Sequence, residues 1–249
     1  MAKKIWTRDE LLLAFNLYCK IPFGKIHIRN PQIIALAEIL QRTPSAISWK
    51  LANFASLDTS LKKRNIKGAE HGAKADVQIW NEFHGNWDKL AFESERLLGD
   101  RAGLQLTISS QTPPPGLTRE ALVKVRVNQS FFRAAVLAAY DSSCCISGLN
   151  IPTLLIASHI LPWALDCKNR TNPRNGLCLS AIHDRAFDCG LITVTPDYQV
   201  KASSLLQKKP IPSVEMMFLK YDGARIKLPG KFPPDQNFLR YHFENIFQP

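Results

Sequence analysis

Side chains that could activate water and bind a cation are concentrated between residues 158 and 188. His159 follows an apolar run, and a histidine whose pKa lies near neutrality can act as a general base. Asp184 and Asp188 are four residues apart, so both carboxylates would lie on one face of a helix, where they could share one divalent ion. Such an ion offsets the negative charge on a phosphate and on its leaving oxygen. Together these groups could hydrolyse a phosphodiester.

The elements predicted around these residues follow the order strand, turn, strand, helix. Residues 154–157 form an apolar strand, Asn175-Gly176 is a turn signal, and residues 177–179 form a short returning strand. A helix over residues 181–189 follows, and Gly190 occupies the position that ends it. Each feature taken singly is compatible with a structural role. Their joint order favours a functional site.

Several motifs occur in a fixed order between residues 124 and 195. They are Arg126-x-Asn128-Gln129-x-x-Phe132-Arg133, Cys145-x-Ser147-Gly148, Ala157-Ser158-His159-Ile160, Asn175-Gly176-Leu177 and His183-Asp184-Arg185-Ala186-Phe187-Asp188-x-Gly190-Leu191. In this combination the segment resembles the HNH, or ββα-metal, endonucleases, and most closely their restriction-type and defence branch. The resemblance implies metal-dependent hydrolysis of DNA that leaves a 5′-phosphate and a 3′-hydroxyl.

The resemblance also implies roles for two residues in catalysis. His159 would be the general base. Asn175 would form a hydrogen bond across the hairpin and so hold the histidine in its working orientation, a supporting role rather than an acid–base one.

Four residues are candidate metal ligands on the same grounds. Asp184 and Asp188 match the helix ligands of the family, and His183 is a further candidate because a one-residue shift in alignment exchanges it with Asp184. Ser158 stands where many relatives have an acidic residue or a second histidine. Because a hydroxyl is a weak ligand, we expect Mg²⁺ rather than tightly bound zinc, with Mn²⁺ or Ni²⁺ as alternatives. The six cysteines contain no Cys-x-x-Cys pair, so no structural zinc is expected.

Composition favours a globular protein with a polyanionic partner. The chain has 249 residues, of which 45% are hydrophobic, and 32 Lys+Arg against 21 Asp+Glu give a formal net charge of +11. This balance argues against a wholly disordered chain and suits nucleic acid, although many basic proteins do not bind DNA. No apolar run is long enough to span a membrane, and the charged start does not resemble a signal peptide. We therefore expect a soluble, cytoplasmic protein with reduced thiols.

The first hundred residues predict a small helical domain. Thr7 to Glu10 has the spacing of a capping box, and Asn30-Pro31 and Thr43-Pro44 are helix starts. The short break over residues 41–43 makes the second and third helices similar to a helix-turn-helix. An ordinary helical corner is the alternative. If the two helices form a helix-turn-helix, the residues that would face a DNA groove are Ser45, Ser48 and Lys50.

Further basic side chains are candidates for phosphate contacts, because guanidinium and ammonium groups pair with phosphate oxygens. They are Lys62, Lys63, Arg64, Arg126, Arg133, Arg170, Arg174 and Arg185.

The predicted fold class is α+β, with an N-terminal all-helical, helix-turn-helix-like domain and a C-terminal ββα-metal HNH nuclease domain. We place the helical DNA-binding module at residues 1–98, a proline-rich linker at 99–117, and the nuclease domain at 118–249 with its core at 140–202. The predicted function is a restriction-type endonuclease in host defence, specific for a sequence or a base modification. It would cut double-stranded DNA as a homodimer, because two-fold symmetry presents one site to each strand. The alternatives are a DNA-binding regulator with an inactive nuclease fold and a defence nuclease gated by a signal.

Overall fold

The protein is mixed α+β and forms two compact units. The computed structural model describes residues 5–62, 73–102, 118–208 and 211–249. Its contacts divide the chain into a first unit, Met1–Ala134, and a second unit, Ala135–Pro249. All four strands of the described residues lie in the second unit. No helix within these ranges is both long and apolar enough to cross a membrane.

The first unit is helical where it is described. Its helices are α1 (Arg8–Lys20), α2 (Pro31–Leu40), α3 (Pro44–Leu57), α4 (Thr59–Lys62), α5 (Lys74–Phe83), α6 (Trp87–Ala102) and the larger part of α7 (Arg119–Ala139). The division between the units falls inside α7. Of the predicted linker, residues 99–102 belong to α6 and residues 103–117 lie outside the described residues.

Local capping signals start the first three helices. The capping box before α1 is confirmed: Thr7 Oγ1 accepts a hydrogen bond from Glu10 N at 3.3 Å, and Glu10 Oε2 accepts one from Thr7 N at 3.0 Å. Asn30 caps α2 and Thr43 caps α3 through their side-chain oxygens, and a proline follows each. These bonds satisfy backbone N–H groups that have no acceptor within the helix.

An aromatic cluster forms the centre of the first unit. The buried Phe15 ring lies with its centroid 5.0 Å from Phe54, 5.2 Å from Trp80, 6.2 Å from Tyr18 and 6.4 Å from Trp87. Such ring pairs add about 0.5–1.5 kcal/mol each beyond the area they bury. The cluster joins α1 to α3, α5 and the start of α6.

The prediction that Lys50 faces a DNA groove is wrong. Lys50 is 6% exposed, and its Nζ lies 2.8 and 3.0 Å from the two carboxylate oxygens of Asp76 on α5. Asn53 donates a further hydrogen bond to Asp76 at 2.8 Å. Lys50 follows the buried Ile47 by three residues and therefore shares its inward face of α3. A charge on that face needs a partner, and Asp76 provides it.

The outward face of α3 carries the remaining predicted groove residues. Ser45 is exposed and Ser48 is half-buried. Trp49 lies next to Ser48 and is 66% exposed, which the sequence pattern did not predict. This face is therefore uncharged, and any contact with DNA there would depend on hydroxyl groups and an indole ring.

The second unit contains the predicted strand–turn–strand–helix order. Its elements are the end of α7, β1 (Leu155–His159), β2 (Gly176–Ser180), α8 (Ala181–Asp188), β3 (Ile192–Val194), β4 (Val200–Ala202), α9 (Ser204–Gln207), α10 (Pro212–Met217) and α11 (Gln236–Asn245). Short 3₁₀ turns occur at Phe23–Lys25 in the first unit and at Pro152–Leu154, Cys167–Asn169, Pro173–Asn175 and Leu219–Tyr221 in the second.

Two antiparallel strand pairs frame α8. In the first pair Leu155 is opposite Ser180 and His159 is opposite Gly176. The second pair joins β3 to β4, with Ile192 opposite Ala202 and Val194 opposite Val200. Because α8 packs on β1 and β2, the side chains at the end of β1 and those of α8 can line one cleft.

Gly190 ends α8 and lets the C-terminal segment approach it. Its φ is +71°, and a Cβ at this position would clash with the carbonyl oxygen of Ile246. Its own carbonyl accepts a hydrogen bond from Gln248 N at 2.9 Å. Glycine is required here both for the left-handed conformation and for the close backbone approach.

We predict that Lys50→Met lowers the free energy of unfolding by about 3–5 kcal/mol, because it leaves the Asp76 carboxylate buried without its cation. Urea unfolding monitored by tryptophan fluorescence measures this loss. The double variant Lys50→Met/Asp76→Leu should recover part of it, since it removes both charges. Equal or greater destabilisation in the double variant would contradict this account.

Candidate active site

A cleft of about 440 Å³ brings the predicted catalytic residues together. Its walls come from β1, from the loop that follows β1, from α8 and from α11. The lining residues are Ile156, Ala157, Ser158, His159, Ile160, Pro162, Trp163, Asp184, Asp188, His242 and Ile246.

The His159 imidazole is oriented by a backbone carbonyl. Its Nε2 lies 2.9 Å from the carbonyl oxygen of Arg170. Because a carbonyl oxygen only accepts, Nε2 carries the proton and Nδ1 carries the lone pair. Burial lowers the pKa of His159, the hydrogen bond to Arg170 raises it, and the Arg170 charge lowers it further. The net direction favours the neutral imidazole, which is the form that a general base requires.

Asn175 fixes the loop that supplies this carbonyl. The side chain is 1% exposed; its Oδ1 accepts a hydrogen bond from Leu161 N at 2.8 Å, and its Nδ2 donates to Leu161 O at 3.4 Å and to Asn169 O at 3.2 Å. Its backbone oxygen accepts from Ile160 N at 3.0 Å. These bonds join the residues after His159 to those before Arg170. The structure thus links Asn175 to His159 through the loop backbone.

Asp184 and Asp188 project from α8 into the same cleft. Burial raises the pKa of Asp184, while the Ser158 hydroxyl and the Arg185 charge lower it. Burial also raises the pKa of Asp188, and the charge of Asp184 raises it further, with Arg185 acting in the opposite direction. The two carboxylates therefore repel each other in a partly desolvated place, and a cation between them would relieve that repulsion.

Residues 144–195 match the sequence profile of the HNH endonucleases. These residues form an HNH endonuclease domain. The matched segment contains His159, Asn175 and both carboxylates of the cleft. A search of curated proteins found no match to the chain.

The HNH domain indicates a nuclease that hydrolyses DNA, and HNH nucleases generally use a divalent metal ion. Within the described ranges, no three or more His, Cys, Asp or Glu side chains form a group that could hold a metal. The cleft instead offers two carboxylates. Ser158 Oγ is buried there and, among the described residues, has no partner of good hydrogen-bond geometry, although it lies close enough to favour the ionised Asp184. This donor set fits a hard ion that keeps most of its water.

His183 is not brought together with the other candidate ligands. It is 3% exposed, and its Nε2 donates to Met217 O at 2.8 Å, so its Nδ1 is the acceptor for Ser180 Oγ at 2.8 Å. Cys144 Sγ lies 3.7 Å from the same nitrogen. His183 lines a second cleft on another side of α8.

The predicted phosphate contacts in the second unit have different surroundings. Arg174 forms an ion pair with Asp235 at 3.1 Å and donates to Pro233 O at 3.3 Å, so it fastens the C-terminal segment. Arg185 is exposed beside the two carboxylates. Arg170 is half-buried and stacks on Trp163.

The other predicted contacts belong to the first unit. Arg126 and Arg133 lie on exposed positions of α7. The side chain of Lys62, and Lys63 and Arg64 entirely, lie outside the described residues.

Among the lining residues of the HNH cleft that were not predicted as part of a site, two carry aromatic rings. Trp163 follows His159 by four residues and packs edge-to-face on it, with ring centroids 5.4 Å apart. His242 comes from α11 and stacks on Phe187 of α8 at 3.6 Å. The short spacing after His159 could have indicated Trp163, whereas nothing local links His242 to residues more than fifty positions away.

His242 has a structural role in the wall of the cleft. Its Nε2 donates to Phe187 O at 3.2 Å, and its Nδ1 accepts from Thr193 Oγ1 at 2.9 Å. Burial lowers its pKa to about 4, although the Phe187 carbonyl acts in the opposite direction. The neutral ring holds α11 against the part of α8 that carries Asp188.

We predict that His242 makes the second unit less stable in acid. The pKa of His242 is about 4 in the folded protein and 6.5 in the unfolded chain. Between these pH values only the unfolded chain binds a proton at this histidine, so the free energy of unfolding falls by up to about 3 kcal/mol as the pH decreases. Urea unfolding at a series of pH values, with NMR titration of the histidines, measures both quantities. In His242→Gln this part of the pH dependence should be absent. Parallel curves for the two proteins would contradict the assignment.

We also predict that Asn175→Ala lowers the free energy of unfolding by about 2–4 kcal/mol, because buried groups of Leu161 and Asn169 lose their partner. Asn172→Ala is the matched control: the same change in the same loop, at a half-buried side chain, should cost less. Chemical denaturation of both variants provides the comparison. An equal loss in the two would show that Asn175 has no special part in the loop.

Proposed function

We propose that the protein is a metal-dependent DNA endonuclease of the restriction type. The observation that carries the proposal is that His159 and the carboxylates of Asp184 and Asp188 line the same cleft of the HNH domain. This cleft combines a neutral imidazole with a pair of anionic donors, as phosphodiester hydrolysis requires.

Asp184 and Asp188 would hold the ion, and the buried Ser158 hydroxyl of the same cleft would be a further, weaker oxygen donor. Mg²⁺ suits this set best, because it binds through one or two carboxylates and retains several waters; Mn²⁺ and Ni²⁺ are alternatives. When bound, the ion supplies a positive charge that stabilises the phosphate and the leaving oxygen.

The chain's own residues account for the proton transfer. His159 Nδ1 would accept a proton from the attacking water, while the Nε2–H bond to Arg170 O keeps the ring in the required tautomer. As Nδ1 takes the proton, the imidazole becomes positively charged and its Nε2–H donates more strongly to the carbonyl. Asn175 would act as a positioning residue, because it fixes the loop that presents Arg170. The products would carry a 5′-phosphate and a 3′-hydroxyl.

Duplex DNA is the proposed substrate, cut by a homodimer that offers one HNH cleft to each strand. The formal net charge of +11 supports a polyanionic partner. The helical first unit would add specificity for a sequence or a modified base through the outward face of α3, which bears Ser45 and Ser48. Arg126, Arg133 and Arg185, each at an exposed position, would contribute phosphate contacts.

A second candidate function is a DNA-binding regulator whose HNH domain no longer cuts. It is favoured by Ser158, which supplies a hydroxyl where an acidic or imidazole ligand would bind a metal more firmly. This alternative predicts DNA binding that survives EDTA and no cleavage with any divalent ion.

We predict that the purified protein cleaves plasmid DNA in the presence of Mg²⁺, Mn²⁺ or Ni²⁺, and that EDTA abolishes the cleavage. His159→Ala should lower the rate by roughly 10²–10⁴-fold, because general-base catalysis contributes that much. Asp184→Asn should also lower it, with a requirement for more metal. Gel electrophoresis of modified and unmodified plasmids gives both the rate and the specificity.

The control is His27→Ala, which makes the same change at an exposed histidine of the first unit and should leave the rate unchanged. Discrete fragments would support site-specific restriction, and random degradation would contradict it. Absence of cleavage with all three ions, together with salt-sensitive binding that EDTA does not affect, would favour the regulator.

A further inference from the structure

Arg170 and Trp163 form a rigid pair at the edge of the HNH cleft. The Arg170 guanidinium lies over the Trp163 ring, 4.9 Å from its centroid, and Arg170 Nε donates to the Trp163 carbonyl oxygen at 2.8 Å. The same Trp163 ring packs edge-to-face on His159, and the Arg170 carbonyl accepts from His159 Nε2. Each of the three residues His159, Trp163 and Arg170 therefore contacts the other two.

This arrangement leaves a defined part of Arg170 for a ligand. Its Nε is used by the Trp163 carbonyl, whereas its two Nη groups have no acceptor within the described residues. The contact with the ring and the Nε bond restrict the guanidinium, so its two Nη donors are presented with little further loss of side-chain entropy. Paired donors of this geometry match the oxygens of a phosphate.

The position of Arg170 separates it from the reacting phosphate. Trp163 lines the cleft with His159, Asp184 and Asp188, but Arg170 is not one of the lining residues. A phosphate under attack must lie within the cleft, near the imidazole and the carboxylates. The Arg170 guanidinium contacts Trp163 but does not line the cleft, so it would meet a neighbouring phosphate of the same strand rather than the one under attack.

We propose that Arg170, held on Trp163, binds the phosphate that flanks the scissile one and so makes the enzyme select polynucleotides over isolated phosphodiesters. This inference rests on the proposed nuclease function. Trp163 is the positioning residue of the pair, since it fixes the guanidinium relative to His159. The DNA strand would be held at two successive points, the cleft and the Arg170 guanidinium.

The test compares a DNA duplex with thymidine 5′-(p-nitrophenyl phosphate), a diester that has no flanking phosphate. Arg170→Gln should lower kcat/KM on the duplex by roughly 10–100-fold more than on the small ester, because only the duplex has a flanking phosphate for the guanidinium to bind. Trp163→Phe, which keeps a ring beneath the guanidinium, should retain most activity on DNA. The matched control is Arg240→Gln, the same change at an exposed arginine of α11, which should affect neither substrate.

A neutral methylphosphonate placed at single positions of the duplex identifies the contacted phosphate. One flanking position should lower kcat/KM in the wild-type protein and have no effect in Arg170→Gln, because the two changes remove the same interaction. Equal losses on DNA and on the small ester would overturn the proposal and show that Arg170 acts only through His159. Unchanged methylphosphonate effects in Arg170→Gln would overturn it as well.

A different result is expected if the protein is not a nuclease at all. In that case the wild-type protein hydrolyses neither the duplex nor the small ester with any metal. DNA binding then tests Arg170 alone: the slope of log K against log salt concentration should decrease by about 1 in Arg170→Gln and stay the same in Arg240→Gln. An unchanged slope in Arg170→Gln would overturn the inference independently of catalysis.

Discussion

The buried amide of Asn175 is the constraint on which the geometry of the cleft depends. It binds both backbone groups of Leu161 and the carbonyl of Asn169, and so closes the loop between β1 and β2 at its base. A loop closed in this way has few conformations, and the entropy lost in ordering it is offset by bonds that water cannot replace in the interior. The orientation of His159 follows, because the carbonyl that fixes its tautomer belongs to this loop.

The base and the carboxylates of the cleft lie in different environments, which suit them to different chemical roles. His159 is kept neutral by burial, while Asp184 and Asp188 are held where their negative charges are unfavourable without a cation. One cavity thus contains a neutral base, supplied by β1, and two negatively charged carboxylates, supplied by α8. The strand fixes the base, the helix fixes the anions, and their packing sets the distance between them.

Features that depend on neighbouring residues could be predicted from the sequence. Thr7, Asn30 and Thr43 cap helices through bonds that span two or three residues, and Gly190 ends α8 because only glycine suits its backbone. The order of strand, turn, strand and helix around Asn175 was predictable for the same reason.

Features that depend on distant partners were not predictable. Lysine is usually a surface residue, and the partner that lets Lys50 be buried, Asp76, lies 26 positions away in the sequence. His183 turns toward Cys144 and Met217 rather than toward the carboxylate next to it in sequence. The C-terminal residues 211–249 supply one wall of the cleft through His242 and Ile246. This wall is synthesised after the rest of the cleft. Ile246 is translated 58 residues after Asp188, and at about 5–20 residues per second this takes about 3–12 seconds. During that interval a nascent chain has both carboxylates of α8 but no complete cavity around them.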